Sequence, residues 1–279
     1  MTLPVASRDI YVEANGIRHH LIARGAPGTP VVMMIHGLAG QAHVFDGIAS
    51  YLSARFHVYC LDVRGRGESA WGPANQYGMD TYVADLEAVR EALGLQLFTL
   101  IGTSMGGLIS MNYIPRFPER VAKVVINDIG PEVDPAGLAR ILQYVGHAPE
   151  MFADMKAVVK YYRENYGPMV EQMPEDQVAE FARWNVRKSD SGVYVWKMDL
   201  AVRAGGAPPP SMDQWEAAGK ISCPALILRG AKSDVLNAAT AQRMVETMAN
   251  ARLVEVPGVG HAPVLSEPEA VKALDAFLG

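Results

Sequence analysis

Short, uninterrupted apolar runs alternate along the chain with longer stretches whose apolar residues recur at helical spacing. The apolar runs indicate buried strands, and they lie at residues 31–35, 56–61, 97–101, 121–127, 225–228 and 252–256. The stretches with helical spacing lie at residues 79–93, 108–117 and 268–278. Because strand and helix alternate, the pattern predicts an α/β fold with a mostly parallel sheet and helices on both faces. At the start, Asn15-Gly16 splits residues 9–24 into two runs and predicts a hairpin.

One serine stands between a predicted strand and a predicted helix. Gly102-Thr103-Ser104-Met105-Gly106 fits the G-x-S-x-G pattern of a nucleophile elbow, in which a sharp turn exposes the serine hydroxyl. A serine hydroxyl needs a neighbouring base, and the base needs an orienting carboxylate. Asp234 and His261 each follow a predicted strand, in the chain order serine, acid, histidine. Both therefore fall where an open α/β sheet carries its active site.

Further motifs accompany the elbow in a fixed order. His36-Gly37 follows the first buried strand, residues 62–69 read Asp-Val-Arg-Gly-Arg-Gly-Glu-Ser, and His261 stands in Gly260-His261-Ala262-Pro263. With these motifs the chain resembles the α/β-hydrolases from about residue 31 to its C-terminus. The resemblance implies Ser104 as nucleophile, His261 as base and a structural role for His36.

The acid of the triad has two candidates under this resemblance. Family members often carry it three residues after the glycine that ends the strand, whereas Asp234 stands four after Gly230. Other members carry it after the preceding core strand, where Asp128 stands here. We favour Asp234 and keep Asp128 as the alternative.

An oxyanion in such a site needs two backbone N–H donors. One is expected from Met105, the residue after the nucleophile, and the resemblance points to Leu38 for the other.

Residues 131–218 differ in composition from the rest of the chain. They are rich in Met, Tyr, Trp and charge, helices are predicted at 151–166 and 174–186, and no hydrophobic strand is expected before residue 225. This resembles the helical cap of many α/β-hydrolases, set on a core of residues 1–130 and 219–279, with 204–210 as linker. Tyr144, Tyr162 and Trp184 are the candidate pocket residues.

The composition of the chain limits the binding partners and the cellular location that we expect for the protein. The chain has 279 residues, a net charge of −5 and two cysteines. Nothing suggests nucleic acid or an anionic membrane as a partner, and no apolar run approaches the ~20 residues of a membrane span. No signal peptide, metal-ligand set or phosphate loop is visible, so we expect a cytoplasmic monomer or homodimer without metal or cofactor.

The expected activity is hydrolysis of a small carboxylic ester or lactone through an acyl-enzyme. A carbon–carbon hydrolase acting on a vinylogous diketone with the same triad is the alternative, and thioesters and amides stay open. A receptor of the same fold that only binds its small molecule is the alternative from a different class.

Overall fold

A single eight-stranded sheet forms the centre of the computed structural model, which describes residues 7–166, 170, 173–204 and 210–279, without the side chains of Tyr144 and Ala204. The order across the sheet is β1-β2-β4-β3-β5-β6-β10-β11. The strands are β1 Arg8–Ala14, β2 Ile17–Arg24, β3 Val31–Ile35, β4 His57–Leu61, β5 Phe98–Thr103, β6 Val121–Asn127, β10 Ala225–Gly230 and β11 Ala251–Val256. Pairing is antiparallel through β1, β2 and β4, and parallel from β4 to β11. The predicted mostly parallel sheet is confirmed.

The N-terminal hairpin turns where the sequence predicts. Asn15 and Gly16 both have positive φ, 46° and 77°, and Ala14 pairs with Ile17 directly across the turn. Asparagine and glycine are the residues that adopt this left-handed conformation at least cost.

Helices cover both faces of the sheet. They are α1 Asp46–Leu52, α2 Met79–Ala92, α3 Met105–Tyr113, α7 Gln214–Gly219, α8 Ala238–Thr247 and α9 Pro268–Leu278. Leu86 of α2 and Ile109 of α3 belong to the apolar core on one face. Ile48 of α1 and Leu274 of α9 belong to the core on the other. Central strands buried on both faces account for the uninterrupted apolar runs in the sequence.

Between β6 and β10 the chain builds a second, smaller unit. Its helices are α4 Pro135–Gly146, α5 Met155–Asn165 and α6 Glu175–Arg183, and its three-stranded antiparallel sheet contains β7 Met151–Phe152, β8 Val186–Lys188 and β9 Tyr194–Trp196. These elements enclose an apolar cluster of their own around Tyr162 and Trp196.

The expectation that residues 131–218 contain no hydrophobic strand is therefore wrong. Strands of two or three residues are too short to display an alternating pattern, so the sequence merges them with the neighbouring helices. The predicted helices at 151–166 and 174–186 are accordingly shorter in the structure. Residues 205–209 of the predicted linker lie outside the described residues. In the part of the chain that the structure describes, no helix is long and apolar enough to cross a membrane.

Candidate active site

Ser104 lies on a sharp turn between β5 and α3. Its φ and ψ are 52° and −118°, a conformation that a residue with a side chain adopts only under strain. A Cβ on Gly102 would stand 2.3 Å from the carbonyl oxygen of Gly106, and one on Gly106 would stand 2.0 Å from that of Ile35. The two glycines therefore allow the close approach of strand and helix that the turn requires. The helix predicted at 108–117 begins at Met105 and ends at Tyr113, so Ser104 immediately precedes it.

His261 lies in the loop after β11 and faces the serine. Its Nε2 is 3.0 Å from Oγ of Ser104, and its Nδ1 is 2.8 Å from Oδ2 of Asp128. The structure thus brings together Ser104 and His261, which the sequence singles out, with the carboxylate that it ranks second.

Asp128 directly follows β6 and is completely buried. Its Oδ1 accepts a hydrogen bond from the backbone N–H of Gly230 at 2.8 Å, and its Oδ2 accepts one from the hydroxyl of Ser233 at 2.7 Å. Its φ of 57° turns the chain at the end of the strand. Hydrogen bonds from an amide, a hydroxyl and an imidazole stabilise the charged carboxylate in this buried position.

The favoured placement of Asp234 beside His261 is wrong. The carboxylate of Asp234 instead accepts hydrogen bonds from Nε and Nη2 of Arg140 on α4, at 2.5 and 2.8 Å. The chain makes a tight turn just before Asp234, in which the N–H of Ser233 donates to the carbonyl of Gly230. The Arg140 guanidinium lowers the pKa of the Asp234 carboxyl below its usual range.

Asn127 is a site residue that the sequence argument missed. It ends β6, is completely buried, and its Nδ2 donates to Oγ1 of Thr103 at 3.0 Å and to the carbonyl of Pro263 at 2.8 Å. These bonds join the strand before Ser104 to the loop that carries His261. An amide at the end of the run Val-Val-Ile is the signal that could have found it, because buried polar groups need partners.

His36 occupies the structural position that the resemblance implies. Its Nε2 accepts from the N–H of Val63 at 3.0 Å, and its Nδ1 donates to the carbonyl of Gly37 at 2.7 Å. Burial lowers the pKa of His36 to about 4, so the ring is neutral at pH 7.

The loop after β3 lies against the serine. A Cβ placed on Gly37 would stand 3.3 Å from Cβ of Ser104, and the next residue, Leu38, lines the same cavity. Met105 is the first residue of α3, where an N–H has no intrahelical acceptor. Both backbone donors that the sequence proposes for an oxyanion therefore belong to segments beside Ser104.

A cavity of about 540 Å³ opens over Ser104 and His261. Its wall on the core side includes Leu38, Val44, Phe45 and Pro263, and its opposite wall includes Arg140, Ile141, Tyr162, Tyr166, Met173, Phe181 and Asn185. The lining is mostly apolar with a few polar groups, as is usual for small-molecule sites. The described residues contain no cluster of three or more His, Cys, Asp or Glu side chains suited to a metal ion.

The three pocket candidates from the sequence have different outcomes. Tyr162 lines the cavity and stacks on Tyr166, with ring centroids 4.4 Å apart. Trp184 is not among the residues that line the cavity. Its ring instead stacks on that of His43 in the core, with ring centroids 3.5 Å apart. The side chain of Tyr144 lies outside the described part of the structure.

Comparison with known proteins agrees with this architecture. Residues 30–268 match the model of the family described as alpha/beta hydrolase fold. The chain belongs to the α/β-hydrolases. A crystal structure of an α/β-hydrolase from Novosphingobium aromaticivorans superposes with a TM-score of 0.88 and 34% identity, covering 98% of each chain.

Relatives of this α/β-hydrolase are hydrolases of different substrates. A 3-hydroxybutyrate-oligomer hydrolase of Cupriavidus necator is 31% identical, over 91% of this chain and 90% of the relative. A 2-(acetamidomethylene)succinate hydrolase of Mesorhizobium japonicum is 27% identical, over 89% and 88%. A pimeloyl-[acyl-carrier protein] methyl ester esterase of Chromobacterium violaceum is 28% identical, over 89% and 94%. This chain is therefore a hydrolase, and its relatives differ in what they cleave.

Proposed function

We propose that this protein is a serine hydrolase that cleaves a small carboxylic ester through an acyl-enzyme. The observation that carries the proposal is the hydrogen-bonded chain from Ser104 through His261 to Asp128, which opens into the 540 Å³ cavity. A serine, a histidine and a carboxylate within hydrogen-bond reach are the arrangement that activates a serine hydroxyl at neutral pH.

In the proposed mechanism Ser104 attacks the ester carbonyl while His261 takes its proton at Nε2. Asp128 holds the imidazole through Nδ1, so that Nε2 faces the serine, and stabilises the imidazolium that forms. The backbone N–H groups of Leu38 and Met105 bind the oxyanion, and each contributes ~3 kcal/mol to the transition state. His261 returns the proton to the leaving alcohol, and water then cleaves the acyl-enzyme by the same steps.

The cavity sets the class of substrate. Its volume lies within the range of roughly 300–1,000 Å³ that holds ligands of modest size. Its apolar lining suits an alkyl or acyl chain, and Arg140, Lys232 and Asn185 supply polar contacts for a second functional group. The oligomer hydrolase of Cupriavidus necator acts, by its name, on oligomers of 3-hydroxybutyrate, whose units are joined by ester bonds. Short oligoesters of hydroxy acids are therefore the first compounds to assay.

Residues 131–218 act in this proposal as a cap that selects the substrate. Seven of the residues that line the cavity come from this segment: Arg140, Ile141, Tyr162, Tyr166, Met173, Phe181 and Asn185. The triad and the oxyanion donors come from the core on either side of this segment.

The experiment that tests the proposal combines labelling with turnover. A serine-directed fluorophosphonate should label the wild-type protein, and Ser104→Ala should lose both the label and turnover, by a factor of about 10⁶ in kcat. The substrate panel contains p-nitrophenyl esters, lactones, 3-hydroxybutyrate dimers and ring-cleavage diketones. Ser110→Ala is the matched control, because Ser110 lies six residues after Ser104, is buried within α3 and donates to the carbonyl of Gly106.

Each outcome of this experiment is decisive. Turnover of esters that depends on Ser104 supports the proposal, and turnover of the diketone alone would replace it with carbon–carbon hydrolysis. A wild-type protein that binds panel compounds but is neither labelled nor active would be a receptor.

A further inference from the structure

The guanidinium of Arg66 contacts both residues that carry the proposed oxyanion donors. Its Nε donates to the carbonyl oxygen of Leu38 at 3.3 Å, and its Nη2 lies 3.5 Å from the sulfur of Met105. Arg66 comes from the turn after β4, so one side chain joins the loop after β3 to the first residue of α3.

The guanidinium is itself fixed in place. Arg66 is completely buried, and its Nη1 donates to the carbonyl of Arg64 at 2.8 Å and to the hydroxyl of Tyr82 at 2.7 Å. The ring of Tyr82 also lies under the guanidinium carbon, with its centroid 5.2 Å away. A planar group with donors in several fixed directions can hold two segments at a defined separation, which an ammonium cannot.

The charge of Arg66 is unusual for a buried arginine. Among the described residues no carboxylate oxygen lies within ion-pair distance of it, whereas buried Arg64 pairs with Asp85 at 2.6 Å. Burying a cation without a counter-ion is costly, so a purely structural role would be served as well by a neutral side chain. A fixed positive charge beside the oxyanion donors is favourable only when negative charge develops there.

We infer that Arg66 is a positioning residue for the oxyanion site, which holds the N–H groups of Leu38 and Met105 in register and places positive charge next to the oxyanion. The inference rests on the proposed function. Arg66 does not contact the substrate at any step. It acts by holding the two backbone donors in place and through the electrostatic effect of its positive charge.

The first test measures the kinetics of Arg66→Gln and Arg66→Lys on the best ester of the panel. For Arg66→Gln we expect kcat to fall about 10- to 100-fold, because interactions specific to the transition state are lost, while KM changes less than about threefold. Arg66→Lys keeps the positive charge but loses the planar guanidinium, so its kcat should lie between those of the wild type and Arg66→Gln.

Arg90→Gln is the matched control for loss of a buried arginine. Arg90 is 4% exposed and bonds the carbonyl of Leu95 and the carboxylate of Glu87 at the end of α2. The Arg90→Gln substitution should lower the melting temperature of the protein and leave its kcat unchanged. A folded Arg66→Gln protein with wild-type kcat, or with a loss no greater than that of Arg90→Gln, would overturn the inference.

A milder pair of variants covers the case in which Arg66→Gln does not fold. Tyr82→Phe removes one acceptor of Arg66 and should lower kcat about two- to fivefold. Tyr77→Phe should not, because the Tyr77 hydroxyl bonds Gly72 and Asp199 instead, although its ring lies 6.0 Å from the same guanidinium carbon. Equal kcat in these two variants would count against the role of Arg66.

The rate of labelling by a fluorophosphonate separates this inference from the proposed function. The phosphonyl oxygen occupies the oxyanion site in the product, so Arg66→Gln should be labelled more slowly than the wild type. If the wild type is not labelled at all, the proposed function fails; if both are labelled equally fast, only the inference about Arg66 fails.

Discussion

The two walls of the cavity hold their polar groups in different ways. Behind the core wall, Asp128 is completely buried and accepts hydrogen bonds from Gly230, Ser233 and His261, of which His261 lines the cavity. On the opposite wall, Arg140 meets Asp234 in an ion pair whose side chains are 41% and 37% exposed. Several hydrogen-bond donors hold a buried carboxylate in one orientation. A partly exposed ion pair is screened by water and contributes little to the free energy of unfolding. Under the proposed function we therefore expect chemistry on the core wall and substrate selection on the opposite wall, which residues 131–218 contribute and which is called the cap wall below.

Replacing the two carboxylates in turn is the strongest test of this comparison. Asp128→Asn should lower kcat by about 10⁴, because an amide no longer holds the histidine in its reactive tautomer. Asp234→Asn should lower it less than about tenfold, since it breaks a partly exposed ion pair and leaves the hydrogen bond between His261 and Asp128 intact. Both variants are assayed at saturating ester.

The reverse ranking would show that the contact of His261 with Asp128 is not the one used in catalysis. Fluorophosphonate labelling of each variant serves as the control, because it reports on the reactivity of Ser104 without a choice of substrate.

Two aromatic residues at the end of α6 test the cap wall alone. Phe181 lines the cavity, whereas Trp184, three residues later, stacks on His43 and lies under the guanidinium of Arg183. Phe181→Ala should shift the ratio of kcat/KM between short and long acyl esters by about tenfold, as expected for an enlarged apolar pocket. Trp184→Ala should lower the melting temperature and leave that ratio unchanged.

A shift in acyl preference for Trp184→Ala alone would mean that its contact with the core, and not the lining of the cavity, governs selection. Ser104 labelling should stay near wild type in both variants.

The smallest expected effect concerns the Arg140–Asp234 pair and pH. Arg140 lowers the pKa of Asp234 from its usual 3.8, so the pair stabilises the fold above that pH, and the contribution is lost as pH falls through the lowered value. Because both side chains are more than a third exposed, Arg140→Gln should reduce the free energy of unfolding at pH 7 by less than ~1 kcal/mol. Urea unfolding at pH 7 and near pH 2 measures the difference, which should be smaller in acid. A larger difference in acid would contradict the assignment of the stabilisation to this pair.

The sequence predicts the core more closely than the cap for a physical reason. The strands at Val31–Ile35 and Val121–Asn127 have the predicted bounds, because strands buried on both faces read as continuous apolar runs. The alternation of strands and helices predicts the fold class correctly, and motifs in which glycines and a serine meet strict steric demands predict the family correctly. In the cap, strands of two or three residues carry no period, and the stack of Trp184 on His43 depends on contact between distant segments.

The carboxylate that bonds His261 is a contact that the sequence does not determine. Asp128 and Asp234 both follow core strands, and β6 and β10 are neighbours in the sheet, so chain order and spacing permit either. The turn at residues 230–233 distinguishes them in the structure. It directs Asp234 toward Arg140, and Asp128 is the carboxylate that bonds Nδ1 of His261.

The separate apolar cluster of the unit between β6 and β10 has a consequence for how the protein can vary. The two ends of this unit lie close together, because the indole N–H of Trp215, near the start of α7, donates to the carboxylate of Glu132, five residues after β6, at 2.5 Å. The entropy of closing such a loop grows only with the logarithm of its length. Insertions, deletions or a wholly different cap between these anchors would therefore cost the core little stability. Under the proposed function, such an exchange would change the segment that meets the substrate and leave the reacting groups of the core in place.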